Sequence, residues 1–483
     1  MLFNSYEYIF VFLPAAFIIY FLFNSRGHFN AAKIWLIIAS LLFYSWWSIY
    51  YLPLIIFSIC VNYLAGIGLN RPTLPFPRQS LLIGGLIFNI GLLGYFKYAD
   101  FFIANINLLI QADIPLLHLT LPLAISFYTF QQIAYLVDNY RGQSRENNFL
   151  NYALFVLFFP QLIAGPIVHH REMIWQYEAP ENKKIDFKNI ATGLFIFFIG
   201  LFKKVVIADT FAVWAAYGFD TAPALSLIEG WVVSLSYTFQ LYFDFSGYTD
   251  MAIGAALLFN FRLPVNFFSP YRALSIQDFW RRWHMTLGRF LRQYIYIPLG
   301  GSRVGEVRLY TNIMITFLIG GLWHGAGWTF VFWGFLHGAA LVVNRWWQKQ
   351  GLQMNNILAW FLTFNFVNVA WVFFRAASWA DAVKVLKAMF GFSGVIFPES
   401  TAPWLGFLSK YHISFGGFVM EDFIYSAVIM CAAFLLIVIW LPNSMQLQKR
   451  FQPNIWTAVI TGTIGLTAIL MLTNVSEFLY FNF

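Results

Sequence analysis

Gly320-Gly-Leu-Trp-His-Gly-Ala-Gly-Trp328 sets one histidine, His324, between two apolar stretches. Residues 309–323 and 328–344 hold no acidic or basic side chain besides His337. A charged group at membrane depth costs at least ~2.5 kcal/mol on insertion scales, so one that persists there usually serves a function. A neutral imidazole costs less, and a hydrogen-bonded packing histidine is the bland alternative. Two questions follow: whether the surroundings are a membrane, and what chemistry recruits a histidine into it.

The rest of the chain answers the first. Its 483 residues are 60% hydrophobic and 10% charged, with a mean hydropathy of +0.66, whereas a soluble domain carries roughly 25% charged residues. Apolar runs recur from residue 6 to residue 473, and one helical span takes ~20 residues. About a dozen candidate spans can be counted, some of them short or interrupted by Gly and Pro. Such long runs fit helices, which satisfy their own backbone in lipid, rather than the alternating strands of a barrel. The expected fold is an all-α polytopic integral membrane protein, a single domain over residues 1–483, with re-entrant and interfacial helices besides the spans.

The net charge of +8 resides in loops, which makes it a topology signal and not a nucleic-acid signal. Arg26 and Lys33, Arg71 and Arg78, and Arg141 and Arg145 mark three basic loops. Residues 262–308 hold eight arginines against Asp278 and Glu306. Cytoplasmic placement of these loops puts the N-terminus outside. Residues 375–422 balance to zero charge and are expected to form an external loop, between the run 356–374 and the last two runs, 423–441 and 455–473. The first apolar run has Glu7 and no basic leader before it, so no cleaved signal peptide is expected. Cys60 and Cys431 both sit in apolar runs, and packing is their expected role.

Polar residues inside apolar runs are the next signal. Ser126, Thr129, Gln131 and Gln132 suit interhelical hydrogen bonds. Phe159-Pro-Gln-Leu-Ile-Ala-Gly-Pro166 predicts a broken or re-entrant segment. His169 and His170 are adjacent and diverge, which makes a poor metal site. Asp244 and Asp250, in Tyr242-Phe-Asp-Phe-Ser-Gly-Tyr-Thr-Asp250, need partners. Six helical residues set them about 240° apart, so an unbroken helix does not converge them as an acid/base pair. Arginine or tryptophan donors are the expected partners.

Segment 276–298 reads as a basic amphipathic helix at the cytoplasmic interface. With Trp280 at zero on a helical wheel, Trp283, Leu287, Phe290, Leu291 and Tyr294 fall within roughly 80°. Arg281, Arg282, Arg289 and Arg292 fall between about 100° and 200°, and His284 lies at about 40°, on the apolar side. His337, thirteen residues past His324, would lie about 220° away on one unbroken helix, so a structural role is expected for it. The three histidines have no short-spaced ligand pair, and no metal is expected.

Several motifs carry a family resemblance. Arg281-Arg-Trp-His284, Tyr294-Ile-Tyr-Ile-Pro-Leu-Gly-Gly301, the stretch around His324 and Trp333-Gly-Phe-Leu-His-Gly338 resemble those of the membrane-bound O-acyltransferase family. Leu121-Pro-Leu-Ala-Ile-Ser-Phe-Tyr-Thr-Phe130, the 159–166 segment, Gly200-Leu-Phe-Lys-Lys-Val-Val-Ile-Ala-Asp209, Tyr242-Phe-Asp-Phe-Ser-Gly-Tyr248 and the ending Phe478-Leu-Tyr-Phe-Asn-Phe483 extend the likeness over most of the chain. It is greatest to the bacterial branch that O-acetylates exported polysaccharide, with alginate as the leading acceptor.

The resemblance implies a ring of tilted helices around a central tunnel, where a cytoplasmic acyl donor meets an outer acceptor. It implies that His324 is catalytic, with His284 as the second polar residue. Arg281, Arg282, Trp283 and Trp323, beside these histidines in the motifs, are expected to bind substrate, together with Asp244 and Asp250. Arg289 and Arg292 are expected to meet an anionic donor, acetyl-CoA or an acyl-carrier thioester. No bound cofactor is expected. A histidine of ordinary pKa suits general-base transfer of an acyl group from a thioester to a hydroxyl.

The resemblance further implies a bacterial inner-membrane location and a periplasmic serine-hydrolase-like acetyltransferase as partner. Two other functions remain open at this stage. One is D-alanyl transfer to teichoic acid. The other is transport of an acyl carrier or polysaccharide without chemistry, although paired broken helices in matching halves are not evident.

Overall fold

The 227–258 run, which contains both buried aspartates, becomes the axis of the molecule. In the computed structural model, residues 1–71, 75–143, 148–163, 165–411, 413–472 and Leu479 are described. Leu227–Leu258 is a single 32-residue helix with almost every side chain buried. Its start is fixed by Glu229, whose carboxylate accepts from the Ser226 N–H (2.9 Å) and the Met420 N–H (2.8 Å).

Glycine lets a second helix, Phe187–Phe202, lie directly on this axis. A Cβ on Gly200 would sit 2.5 Å from the Gly247 carbonyl, and one on Gly254 would sit 2.5 Å from the Gly193 carbonyl. Small residues give such close approach in membranes, where packing rather than water drives helix association. Just beyond this contact, the π-helical turn Lys203–Ala208 presents two lysines. Lys203 pairs with Asp250 and Lys204 with Asp244, both at 2.7 Å. The aspartates' partners are therefore adjacent lysines rather than the arginine or tryptophan expected. The diverging geometry is as expected, and each carboxylate meets its own cation.

Among the described residues, five helical stretches are long and apolar enough to cross a membrane: Tyr8–Ser25, Ile49–Asn70, Arg78–Ile110, Phe187–Thr221 and Asn356–Arg375. The pair Ile424–Trp440 and Ser444–Arg450, bent by 49°, makes a sixth if counted as one span. Other runs among the expected dozen form shorter, kinked or interior helices. Phe29–Ser45 and Ile455–Leu470 are apolar but shorter. The 159–166 segment is broken as expected: Phe149–Leu157 and Phe159–Leu162 are separated at Phe158, and residues 151–163 and 165–170 are buried.

Gln132 joins helices, accepting from Ser58 (2.8 Å) and Asn62 (2.5 Å). Segment 375–422 is more than a loop. Helix Trp379–Met389 packs on the axis at Gly230, and Trp231 Nε1 donates to the Met389 carbonyl (3.0 Å). A two-stranded parallel sheet follows, Val395–Phe397 against Ile413–Phe415, with Val395 opposite Ile413.

Segment 276–298 is not one helix. It divides into Ile276–Trp280, Met285–Leu291 and the π-turn Arg292–Tyr296. The break has a backbone cause: Phe268 N–H donates to the Arg282 carbonyl (2.9 Å) and Met285 N–H to the Asn266 carbonyl (3.0 Å). Wheel angles beyond Trp280 therefore do not hold. Arg145, Ala164, Thr473 and the closing motif apart from Leu479 lie outside the described residues. Leu479 N–H donates to Asp244 Oδ2 (3.2 Å).

Candidate active site

His324 is the last residue of helix Glu306–His324. Gly325 and Gly327 are extended, and helix Trp328–Lys349 packs back along the first. The two helices meet at glycines. A Cβ on Gly321 would lie 2.4 Å from the Phe330 carbonyl, and one on Gly334 would lie 2.4 Å from the Phe317 carbonyl. At Gly325 a Cβ would strike the Phe330 ring at 2.2 Å. The glycines of the motif thus clear space for rings around the histidine. His324 is 3% exposed, with Trp323, Phe374 and Trp333 edge-on at 4.8, 5.0 and 5.1 Å between centroids.

The break in 276–298 delivers the second histidine. His284 has φ +42°, a left-handed conformation that costs of order 1–3 kcal/mol outside glycine and recurs at functional sites. Its ring is fully buried and lies 6.5 Å from that of His324, with Phe245 edge-on at 4.8 Å. Asn266 Oδ1 meets His284 Nδ1 at 3.1 Å and accepts from the Thr286 N–H (3.2 Å) and hydroxyl (2.9 Å).

Sequence reasoning missed Lys97. It rides the π-turn Gly94–Tyr98, and its ammonium donates to the carbonyls of Trp323 (2.6 Å) and His324 (3.2 Å) and to Ser126 Oγ (3.3 Å). It caps the helix end that carries the catalytic candidate, and a cation there suits the dipole. The signal was present: Lys97 is the only charged residue between Arg78 and Asp100, which is the same membrane-depth criterion that singled out His324. Ser126 turns out to serve this site, unlike Gln132. Asn266 had no comparable signal, since an asparagine in a polar loop is ordinary.

Two cavities are lined by chain neighbours of the histidines, Met285 in one and Gly325 in the other. The larger, about 650 Å³, is lined by Trp280, Arg281, Arg289, Arg292 and Arg345 among others. Its wall connects to His324 through rings: Trp280 lies 5.8 Å from Trp333, and Trp333 lies 5.1 Å from His324. The smaller, about 320 Å³, is lined by Lys97, Asp100, Gly325, Ala326 and Phe330. One cavity therefore opens beside the motif of His324, and the other beyond its tryptophan neighbours.

The remaining expected residues separate clearly. Trp323 belongs to the site, stacked on Phe130 at 5.1 Å. Trp283 is a core residue, among Phe267, Phe279 and Trp371. Arg281 and Arg292 line the larger cavity, whereas Arg282 pairs with Asp278 at 2.8 Å. Arg289 lines the cavity but is clasped by both carboxylate oxygens of Glu172. Asp244 and Asp250 are held in their lysine pairs rather than facing His324, although Phe245 touches His284. His337 is fully buried and its Nδ1 accepts from Trp280 Nε1 at 3.2 Å, so it supports the cavity wall.

His169 contacts the Tyr294 hydroxyl at 3.1 Å, and that hydroxyl donates to Asp138 at 2.9 Å. Burial, reinforced by the nearby Arg289 charge, pulls His169 down to about 4.

Residues 139–379, which contain both histidines, match the profile of MBOAT, the membrane-bound O-acyltransferase family. A peptidoglycan O-acetyltransferase of Helicobacter pylori is 48% identical over 100% of this chain and 98% of that protein. The chain belongs to the membrane-bound O-acyltransferase family. It is an acyltransferase and a membrane protein. Further relatives of this membrane-bound O-acyltransferase include a probable alginate O-acetylase AlgI of Pseudomonas syringae, 40% identical over 81% of this chain and 76% of that protein. A teichoic acid D-alanyltransferase of Streptococcus thermophilus is 26% identical over 52% of this chain and 68% of that protein.

Proposed function

We propose that this acyltransferase moves an acetyl group from a cytoplasmic thioester toward a hydroxyl acceptor outside, for O-acetylation of an exported polysaccharide. The observation that carries the reading is the pair of buried histidines, 6.5 Å apart, with one cavity lined by Met285, next to His284, and another by Gly325, next to His324. His324 takes the proton of the attacking hydroxyl as its oxygen bonds to the acyl carbon. The carbon–sulfur bond breaks, and the proton passes to the leaving thiolate. His284 acts beside it. Direct transfer is favoured over an acyl-enzyme, because the sequence shows no serine or cysteine nucleophile elbow.

The arginines at 281, 292 and 345 around the larger cavity suit an anionic donor, acetyl-CoA or an acyl-carrier thioester. Positive-inside placement of that basic region puts the donor in the cytoplasm and the N-terminus outside a bacterial inner membrane. Peptidoglycan is favoured over alginate as the polysaccharide. The relative named for peptidoglycan aligns over the whole chain at 48% identity, and the alginate relative over 81% of it at 40%. A periplasmic serine-hydrolase-like acetyltransferase would complete the transfer to sugar.

The test is to identify by mass the acid released by base from purified cell-wall glycan. Cells carrying the wild type are compared with cells carrying His324→Ala at matched membrane levels. Acetate present with the wild type and lost in the variant, at constant glycan yield, is the expected result. Released alanine would move the reading to D-alanylation. Unchanged ester content in the variant would remove His324 from the chemistry.

A further inference from the structure

The hydrogen bonds around Asn266 assign the proton on His284. Asn266 is fully buried, and its Oδ1 faces the Thr286 backbone N–H at 3.2 Å. A backbone N–H can only donate, so the amide atom facing it must be the oxygen. The usual ambiguity of amide orientation is thereby removed. Flipping the amide would set its NH₂ against the Thr286 N–H. The Thr286 hydroxyl, 2.9 Å from the same oxygen, is not free to alter this, because its own oxygen accepts from the Ile167 N–H at 3.0 Å. That hydroxyl therefore spends its hydrogen on Asn266.

The third neighbour of this oxygen is His284 Nδ1, at 3.1 Å. Facing an acceptor that already takes two donors, Nδ1 must carry a hydrogen. In a neutral imidazole, one nitrogen donates and the other accepts. Nε2 is then the atom with the lone pair, in a ring 6.5 Å from His324.

We propose that Asn266 is a positioning residue that locks neutral His284 in the Nδ1–H tautomer, so that His284 offers the acyl transfer a hydrogen-bond acceptor, and no donor, at Nε2. The inference rests on the acyltransferase reading above and narrows it. A neutral His284 of this tautomer has no hydrogen on Nε2 with which to polarise a donor carbonyl. It can accept a hydrogen bond at Nε2 from an N–H or O–H in the site, while the proton of the attacking hydroxyl goes to His324. His284 then stays neutral and keeps its Nδ1–H bond to Asn266, while the proton released to the leaving thiolate is the one His324 holds. The left-handed backbone at His284 and the pairing of residues 266–268 with 282–285 hold the two side chains in register.

The tautomer can be read without catalysis. The full-length protein is labelled with ¹⁵N-histidine in nanodiscs, and the His284 signals are assigned by their loss in His284→Gln. The expected wild-type signature is Nδ1 protonated and Nε2 bare. Asn266→Asp retains the accepting oxygen, so Nδ1 should stay protonated and turnover should remain within about tenfold. Asn266→Leu has similar volume and no acceptor. There the Nδ1–H signature should be lost and kcat should fall about 100-fold, the scale of a misplaced group in an active site, with donor KM changed less than threefold.

A wild-type signature with hydrogen on Nε2 alone overturns the proposal, as does an Asn266→Leu protein of normal kcat. If Asn266→Leu does not fold, the wild-type and Asn266→Asp spectra still decide the assignment. An Nδ1–H signature combined with full activity of His324→Ala would instead count against the wider acyl-transfer reading and leave the tautomer standing.

Discussion

Gly334→Ala tests the idea that His324 is placed by helix contact at glycine. The added Cβ would lie 2.4 Å from the Phe317 carbonyl, where ordinary contact needs about 3.4 Å. The obstacle is backbone, so the helices Glu306–His324 and Trp328–Lys349 must part by about 1 Å. Overpacking of this kind costs typically ~1–3 kcal/mol. The catalytic consequence should be larger, because Trp333, next to Gly334, borders both His324 and Trp280. A 1 Å misplacement of reacting groups can cost about 100-fold. Two controls grade the effect. Gly338→Ala meets the flexible Met314 sulfur at 2.9 Å, and Gly305→Ala meets nothing within 4 Å. Acetyl transfer by purified protein in nanodiscs, normalised to folded protein by thermal melting, should fall in the order Gly305→Ala, Gly338→Ala, Gly334→Ala. Equal activity of all three would refute the glycine-contact account.

Four other substitutions follow from the site and its surroundings. Lys97→Met leaves the carbonyls of Trp323 and His324 without their cationic donor. Hydrogen bonds to charged groups are worth ~1.5–3 kcal/mol each before the cost of burying the ammonium, so kcat should drop at least tenfold with a modest change in melting temperature; an unchanged kcat rejects the positioning role. Arg292→Glu should raise the donor KM with kcat nearly constant, whereas Arg289→Glu should mainly lower stability, since Arg289 is held by Glu172; identical kinetic effects from both would contradict the distinction. His169, held at about 4 in the folded protein, binds a proton in the unfolded chain first, at its ordinary value near 6.5. Stability should therefore decline as pH falls from about 6.5 to 4. His169→Gln should narrow the loss of melting temperature between pH 7.5 and 5, and an equal loss in both proteins would exclude His169 as a source.

The sequence by itself determined the solvent and the chemistry. Low charge and long apolar runs required a helical membrane protein, and a histidine amid apolar residues at 309–344 marked the candidate site. Motif order gave the family, and the 100° step of a helix separated Asp244 from Asp250. These are local or compositional facts that need no knowledge of neighbours. Tertiary structure decided what lay between distant segments. The lysines of 203–204 answer the aspartates of 244 and 250, and Lys97 reaches across more than two hundred residues to the His324 carbonyl.

The helical wheel failed at 281–284 for the same reason. A periodic pattern predicts a helix only while the backbone bonds to itself, and here the 266–268 loop competes for those groups. That competition turns His284 inward with φ +42° and fixes which nitrogen carries its hydrogen. Side-chain type is written in the sequence. The donor or acceptor role of a neutral imidazole is set only by the group folded against it.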